Sequence, residues 1–299
     1  MSNILEMQSD IVQPKPLEAY SWGKILATDL RAKEYVLEPL IREKDIIMIY
    51  AKTGVGKTLV STGIAWAIST ATEFLGWKCN NPKNTLFIDG EMPLISIKKR
   101  IESLSQEKQN ERFKVLSNDT LLDTQLLPDL STIEGQKEVE HLTNWADFIV
   151  LDNIATLCRS GQENTTEAWR TTQDWLLSLR AKGKTVLIID HAGKNGTNRG
   201  ASAKQDVLDT VISLKHPSDY DPDNGARFIV NVEKNRNANP ISNIEAHLTS
   251  DGWKVSDAKE TRDQQILELK ADGLNQTEIA EELGCNKSTV SRVLKKYGK

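Results

Sequence analysis

Short, continuous apolar runs recur along this chain, separated by segments with apolar residues at every third or fourth position. Each run is apolar on successive residues, which is typical of strands buried on both faces. The intervening segments have the period of helices that cover such a sheet. The pattern predicts an α/β fold with a mostly parallel central sheet and helices on both faces. The predicted strands are Tyr35–Leu37, Ile46–Ile49, Leu86–Ile88, Phe113–Leu116, Phe148–Leu151, Thr185–His191, Val207–Leu214 and Arg227–Val232, with a closing hairpin over Asn243–Leu248 and Trp253–Val255.

The predicted helices alternate with these strands. They are Tyr20–Leu30, Lys57–Thr70, Ile95–Leu104, Gly135–Ala146 and Glu167–Ala181. The basic run from Lys98 to Arg100 is expected to form a solvated helix face. The segment Thr156–Thr166 is expected to be a polar loop, because it is rich in Thr, Ser, Gly and Asn.

A glycine loop joins the strand Ile46–Ile49 to the helix that follows it. Its sequence is Ala51-Lys52-Thr53-Gly54-Val55-Gly56-Lys57-Thr58, followed by Leu59. A strand, a glycine loop and a helix in this order are the context of a phosphate-binding loop. Its glycines let backbone N–H groups approach phosphates, and the helix N-terminus favours an anion. Lys57 is expected to reach the β- and γ-phosphates of a nucleotide, and the Thr58 hydroxyl to bind Mg²⁺. Ala51 stands where such loops usually have their first glycine, which is a mild change.

A later strand end supplies an acidic partner for this loop. The apolar run Phe148–Leu151 ends in Asp152, which is the Walker B pattern. A carboxylate at the end of a buried parallel strand orders the water shell of Mg²⁺. Asp152 is therefore expected to act at the metal together with Thr58.

Composition and charge narrow the class of protein. The 299 residues are 38% hydrophobic and 27% charged, which suits one large domain with a small appendage. The net charge of −4 argues against a uniformly basic surface, so DNA contacts would come from local basic patches. The three cysteines lack metal-binding spacing and fit a reducing cytoplasm. No secretory signal and no apolar run of transmembrane length is evident, so a cytoplasmic location is expected.

Five motifs together resemble one branch of the RecA-like ATPases. They are the glycine loop, IDGEM at 88–92, IVLDN at 149–153, IIDHAGK at 188–194 with RGAS at 199–202, and EKNR at 233–236. The set is similar to plasmid RepA-type hexameric replicative helicases and, more distantly, to DnaB-like helicases. The resemblance covers about Tyr35 to Val255. It implies a RecA-like P-loop fold, ATP with Mg²⁺ as cofactors, single-stranded DNA as a partner, and a homo-hexameric ring.

The resemblance also implies roles for two strand ends near the loop. Glu91 would polarise the attacking water, and Asp89 is the alternative for this role. His191, which ends the strand after the Walker B strand, would sense the γ-phosphate. The plainer alternatives are that Glu91 is a turn acid and His191 a core histidine.

Further cations take their roles from the same resemblance. Lys234 and Arg236, a K-x-R pair after a late strand, would be donated to the nucleotide of the neighbouring subunit. A planar cation suits the charge spread over a transferred phosphoryl group. Lys194, Arg199 and Lys204 would contact single-stranded DNA from a loop that faces the ring channel. An ordinary surface pair and a solvated loop are the alternatives.

The character of the chain changes after Ser256, where a small helical unit is expected. Asn275 and Glu278 form a capping box at the start of one helix. The stretch QTEIAEELGCNKSTVSRVLKK at 276–296 resembles helix-turn-helix modules of resolvases and transcription regulators. The residues expected to meet duplex DNA, at the front of its second helix, are Lys287, Ser288, Thr289, Ser291 and Arg292. The alternative is a helical protein-docking module.

Two functions are consistent with this organisation. The predicted domains are a leader at 1–30, a RecA-like ATPase core at 31–256 and a DNA-binding helix-turn-helix at 257–299. The first function is a ring-forming motor that hydrolyses ATP and acts as a helicase in the replication of a plasmid, phage or mobile element. The second is a DNA-bound, ATP-dependent regulator or assembly switch without unwinding activity. Strand displacement on a forked duplex distinguishes the two.

Overall fold

The computed structural model describes residues 17–104, 110–121, 125–159, 166–193, 206–217, 219–236 and 240–298. The chain divides into two compact units, Met1–Ala32 and Lys33–Lys299. The first unit contains helix α1 (Trp22–Ala27), which is shorter at both ends than the predicted helix. The hydroxyl of Ser21 caps α1 by accepting a hydrogen bond from the Lys24 N–H. The three predicted domain limits stay predictions.

A nine-stranded sheet forms the centre of the second unit. Its order is β13-β12-β11-β10-β3-β9-β8-β6-β7. The strands from β10 to β7 pair in parallel, and β11 to β13 extend the sheet in antiparallel fashion beyond β10. Two short ribbons, β1 with β2 and β4 with β5, stand apart from it. The strands are β1 (Tyr35–Leu37), β2 (Ile41–Arg42), β3 (Ile46–Ala51), β4 (Glu73–Phe74), β5 (Trp77–Lys78), β6 (Thr85–Asp89), β7 (Phe113–Ser117), β8 (Phe148–Asp152), β9 (Thr185–His191), β10 (Thr210–Lys215), β11 (Arg227–Asn235), β12 (Ile244–Thr249) and β13 (Gly252–Asp257).

Helices cover both faces of this sheet. In the second unit they are α2 (Lys57–Thr70), α3 (Leu94–Leu104), α4 (Ile133–Glu138), α5 (Glu140–Trp145), α6 (Ile154–Leu157), α7 (Thr166–Ala181), α8 (Ala258–Ala271), α9 (Gln276–Glu282) and α10 (Lys287–Lys296). Among the described helices, none is long and apolar enough to cross a membrane.

The alternation of side chains along β3 shows why the strands are apolar on every residue. Ile47 and Ile49 point into a core shared with α2, whereas Ile46 and Met48 point into a second core shared with α7. Both cores are continuous across the parallel strands, so neither face of a strand meets water. The predicted α/β fold with a mostly parallel sheet is confirmed.

Several predicted element boundaries were wrong. The helix predicted over Gly135–Ala146 is two helices, α4 and α5, which meet at Val139 with φ −91° and ψ 0°. The predicted polar loop Thr156–Thr166 is helical at both ends, where Thr156 lies in α6 and Thr166 begins α7. The strand predicted from Val207 begins only at Thr210, where β10 starts to pair with β3 opposite Ile47.

The last three helices form a helix-turn-helix with its own core. Ile266, Ile279, Val290, Val293 and Leu294 are buried against one another. The predicted capping box is present: the side chain of residue 275 accepts from the N–H of residue 278, whose carboxylate accepts in return. The predicted helix-turn-helix is confirmed. It follows β13 directly, because α8 begins at the next residue.

Candidate nucleotide-binding site

The candidate site lies at the edge of the sheet where the carboxyl ends of β3, β6, β8 and β9 meet. Register pairing places Ala51 beside His191 and Asp89 beside Asp152. The structure thus gathers the glycine loop, both acidic strand ends and the histidine at one edge. Ligands collect at this edge of open parallel sheets.

The glycine loop has a conformation that only glycine adopts easily at two positions. Gly54 has φ 85° and Gly56 has φ 119°. Gly56 also lies against β11, where an added Cβ would come within 3.1 Å of the Phe228 ring. Lys52 and Thr53 are exposed at the tip of the loop. The backbone of the loop is therefore held open to a ligand by its glycines and by close packing beneath it.

Ala51, which replaces the usual first glycine, fits without strain. It is the last residue of β3, and its side chain is buried in the core shared with α2. Its carbonyl oxygen accepts a hydrogen bond of 3.1 Å from Lys57 Nζ. Because the methyl group packs inward and the carbonyl takes part in the loop, alanine is compatible with a phosphate loop here.

Replacing Gly56 with alanine is expected to weaken nucleotide binding about tenfold or more. The left-handed backbone costs an L-residue about 1–2 kcal/mol, and the new methyl group must displace the Phe228 ring. Titration with a fluorescent ATP analogue measures the effect. Gly252→Ala is the matched control, since φ is also positive there (102°) but nothing lies within 4 Å of the added Cβ. That control should lower stability and leave nucleotide affinity unchanged, and equal affinities in all three proteins would contradict the assignment.

Lys57 is held at the mouth of the loop. Its ammonium group donates to the carbonyl oxygens of Ala51 and Lys52, and it lies 3.3 Å from Nδ1 of His191. Burial lowers the pKa of Lys57, and the charges of Asp152 and other acids act in the opposite direction. A buried cation surrounded by acceptors and acids is poised to bind an anionic group that enters the loop.

Asp152 and Thr58 form a pair of oxygen donors that suits Mg²⁺. Asp152 is buried at the end of β8, and its carboxylate bonds the Thr58 side chain and lies 3.4 Å from the hydroxyl of Ser61. Burial and the charge of Asp89 raise the pKa of Asp152 to about 7, and the Thr58 hydrogen bond and Lys57 oppose this rise. Within the described residues no group of three His, Cys, Asp or Glu side chains could hold a metal alone. The Asp152 carboxylate and the Thr58 hydroxyl are a donor set that suits Mg²⁺, which takes one or two protein ligands together with phosphates and water.

Asn153 connects three functional side chains, and sequence reasoning gave it no role. Its amide nitrogen donates to Glu91 Oε2 at 2.6 Å and lies 3.2 Å from Nε2 of His191. Its amide oxygen accepts from the N–H of Thr156, which fixes the orientation of the amide. A polar chain therefore runs from Glu91 through Asn153 and His191 to Lys57. Its position directly after the Walker B aspartate was the available signal.

Asp89 and Glu91 have different environments although both follow β6. Asp89 is buried, and its Oδ1 accepts hydrogen bonds from the N–H groups of Glu91 and Met92 at 2.8 and 2.6 Å. Glu91 is exposed apart from its bond to Asn153. Asp89 thus shapes the turn, and Glu91 is the carboxylate that a water molecule can reach.

The pair Lys234 and Arg236 lies away from this site. Lys234 is part of β11 rather than following it, and Arg236 is the first residue after the strand. Because β11 runs antiparallel to β10, this end of β11 pairs with Thr210, which in turn pairs with Ile47 near the start of β3. The pair therefore lies at the opposite edge of the sheet from the glycine loop, about 13 Å away along the strands.

The predicted DNA contacts fall into two groups. Lys194, Arg199 and Lys204 lie outside the described residues. In the second group Lys287, Ser288, Ser291 and Arg292 are exposed on α10 and Thr289 is half-buried.

Comparison with known proteins supports the fold, and family models match both the nucleotide-binding part and the C-terminal helical part of the chain. Residues 12–197 match the AAA domain family, so the chain belongs to that family. Residues 248–299 match the homeodomain-like domain. The fold and the site together define a RecA-like P-loop ATPase that carries a DNA-binding type of helix-turn-helix. No curated protein matches the chain.

Two solved structures illustrate the fold. A KaiC-like protein from the archaeon Pyrococcus horikoshii is 16% identical with a TM-score of 0.50, over 74% of this chain and 93% of that chain. The flagellar accessory protein FlaH from Methanocaldococcus jannaschii is 13% identical with a TM-score of 0.51, over 72% and 90% respectively. At these identities the similarity is one of fold alone.

Proposed function

We propose that this chain is a ring-forming ATPase motor on DNA, a helicase of the RepA or DnaB type that serves the replication of a plasmid, phage or mobile element. The observation that best supports this proposal is that the candidate catalytic residues lie at two opposite edges of one sheet. The loop, Glu91 and Asp152 lie at one edge, and Arg236 lies at the other. A catalytic residue so placed would serve a nucleotide on another subunit.

The surroundings of Arg236 support this role. Its Nη2 donates to the carbonyl oxygen of Asp206 at 2.6 Å, and its Nη1 lies 3.9 Å from the buried carboxylate of Asp209. Asp209 also pairs with Arg180. These contacts direct Arg236 away from its own loop while the side chain stays exposed enough to meet a neighbour. In a closed ring each such edge would face the phosphate loop of the next subunit.

The chemistry at the first edge follows from its side chains. The loop from Ala51 to Leu59 would bind the phosphates of ATP. Thr58 and Asp152 would hold Mg²⁺, which when bound neutralises charge on the phosphates. Glu91 would polarise the attacking water. The contacts through Asn153 would couple the position of Glu91 to that of His191. Lys57 would stabilise the charge that develops on the phosphoryl oxygens.

DNA would be bound at two places. Single-stranded DNA would meet the ring through Lys194, Arg199 and Lys204. Duplex DNA would meet the exposed face of α10, where no acidic residue occurs between Lys287 and Lys296.

Replacing Arg292 with alanine is expected to weaken duplex binding about tenfold, because a contact to a base or a phosphate is lost. Fluorescence anisotropy over a range of salt concentrations measures affinity and salt slope, which should fall by about one if the contact is to a phosphate. Lys254→Ala, at an exposed position on β13, is the control for charge alone. Equal loss in both variants would argue against a duplex contact by α10.

The motor hypothesis is tested by unwinding and by solution mass. A forked duplex with ATP and Mg²⁺ should be separated by the wild type and not by Lys57→Ala. The mass of the protein should rise to that of a hexamer with ATP and single-stranded DNA. Nucleotide-dependent binding to duplex without strand displacement would instead support the assembly switch. The presence of a helix-turn-helix, which docks on duplex DNA, is the observation that favours this second candidate.

A further inference from the structure

The side-chain amide of Asn153 has one orientation that fits its neighbours. The residue is buried and caps α6, where its Oδ1 accepts a hydrogen bond of 3.1 Å from the N–H of Thr156. A backbone N–H can only donate, so the atom that faces it is the amide oxygen. The amide nitrogen donates to Oε2 of Glu91 at 2.6 Å and lies 3.2 Å from Nε2 of His191. It carries two hydrogens, which is one for each of these neighbours.

This amide determines which ring nitrogen of His191 carries the hydrogen. Because Asn153 is a donor towards Nε2, that nitrogen is the acceptor, and in a neutral imidazole the hydrogen is then on Nδ1. The other tautomer would set an N–H of the ring against an N–H of the amide. A doubly protonated ring would do the same, and it would also add a positive charge 3.3 Å from the ammonium group of Lys57.

Lys57 favours the opposite tautomer, but it is the less constrained of the two neighbours of the ring. Its ammonium group could donate to an Nδ1 that carried no hydrogen. It lies on a flexible stem, however, and it already donates to the carbonyl oxygens of Ala51 and Lys52. The amide of Asn153 is planar, buried and bonded at both ends, so its second hydrogen cannot turn to another acceptor. Since a buried donor that loses its acceptor is costly, the amide decides the tautomer.

The Nδ1–H tautomer gives the mouth of the glycine loop two adjacent donors. Nδ1 of His191 and Nζ of Lys57 are 3.3 Å apart. Two donors cannot bond each other, but an oxygen with several lone pairs can accept from both. A phosphate oxygen of a nucleotide in the loop is such an acceptor, and its negative charge strengthens both bonds.

We propose that Asn153 is a positioning residue for ATP hydrolysis, which fixes His191 in the Nδ1–H tautomer so that the ring donates to a phosphate, and which holds the carboxylate of Glu91 with the same amide group. This inference rests on the proposed function and adds how two of its candidate catalytic side chains are held. Asn153 acts through these two neighbours and not on the reacting atoms. Because one rigid group bonds both, it fixes their spacing.

The tautomer is read directly by nitrogen NMR of protein with isotope-labelled histidine, first without nucleotide. The chain has four histidines, and the His191→Gln spectrum identifies the signals of residue 191. The measurement is made at mildly alkaline pH, above the range where an ordinary imidazole titrates. The wild type should show a protonated Nδ1 and an unprotonated Nε2, and a non-hydrolysable ATP analogue should leave this pattern unchanged. An Nε2–H tautomer in either state would overturn the proposal.

Asn153→Asp should reverse the tautomer. The new carboxylate still accepts from the N–H of Thr156, but it presents an acceptor to Nε2 where the amide presented a donor. With Nδ1 no longer a donor and Glu91 facing a second acid, kcat should fall about 100-fold and KM for ATP should change at most about fivefold. An unchanged tautomer in this variant would overturn the proposal.

Asn144→Asp is the matched control, because it makes the same chemical change at an exposed position on α5. It should keep the wild-type tautomer and kcat, and a loss of kcat equal to that of Asn153→Asp would overturn the proposal. If Asn153→Asp does not fold, the wild-type spectrum decides.

The spectrum also separates this inference from the proposed function. A wild type that binds ATP without hydrolysing it would contradict the proposed function, and the spectrum of the nucleotide-free protein would still decide the tautomer. A wild type that hydrolyses ATP with the hydrogen of His191 on Nε2 would contradict this inference alone.

Discussion

Replacing Arg236 with alanine is expected to lower ATP hydrolysis about 1,000-fold or more, with nucleotide affinity nearly unchanged. The side chain lies at the sheet edge opposite the glycine loop, so its loss leaves the phosphate-binding residues of its own subunit intact. In the proposed ring, the change would remove a planar cation that stabilises the transferred phosphoryl group on the neighbouring subunit. Steady-state hydrolysis and titration with a fluorescent nucleotide measure the two quantities separately.

Mixing two inactive proteins tests whether Arg236 acts between subunits. Lys57→Ala chains keep Arg236 but lack the loop lysine. Arg236→Ala chains keep the intact loop but lack the arginine. A mixed ring should regain part of the hydrolysis, because some intact loops then face a subunit that still carries Arg236. Arg112→Ala, at an exposed arginine elsewhere, is the matched control and should remain active. Normal hydrolysis by an assembled Arg236→Ala ring would show that Arg236 does not act on the nucleotide of the neighbouring subunit.

Replacing Glu91 with glutamine is expected to lower kcat about 100- to 10,000-fold, with KM for ATP changed only a few-fold. Glutamine has the same shape and can still accept the hydrogen bond from Asn153, so the polar chain to His191 is retained. The change removes only the basic carboxylate, which in the proposed mechanism would polarise water. Because Glu91 is exposed, Tm should stay within about 1–2 °C of the wild type.

Asp89→Asn is the comparison that distinguishes the two acids. Asp89 is buried and bonds the backbone of the turn, so its replacement should lower Tm, unlike that of Glu91. Glu102→Gln, at an exposed acid on α3, is the control for charge alone. A wild-type rate in Glu91→Gln would transfer the water-polarising role to Asp89.

The predictions that succeeded rest on local patterns. Continuous apolar runs such as Ile46–Ile49 identified buried strands, because a strand covered on both faces has no polar positions. The glycine loop was recognisable because it needs fixed residue types directly after a strand. The metal-binding role of Asp152 stays a prediction. The helix-turn-helix was recognisable because its capping box and turn lie within a short stretch.

The predictions that failed or were missing depend on distant partners. The strand start at Val207 was predicted too early, since β10 begins where its backbone pairs with β3, at Thr210 opposite Ile47. The contact between Asn153 and His191 could not be predicted from the sequence, because it depends on β8 and β9 being neighbours in the sheet. The prediction of a solvated face over Lys98–Arg100 was wrong for Arg100, which is half-buried on the side of α3 that carries the buried Ile97.

The sequence by itself determined the fold class, the phosphate-binding loop, the acidic strand ends and the DNA-binding type of tail. Each is encoded within a few residues or within one helical or strand period. Only the tertiary structure decided that β9 pairs between β3 and β8, and that β11 turns its end away from the loop. Strand order and direction follow from the packing of the whole sheet. That packing placed Glu91, Asn153, His191 and Lys57 in one polar chain and Arg236 at the far edge.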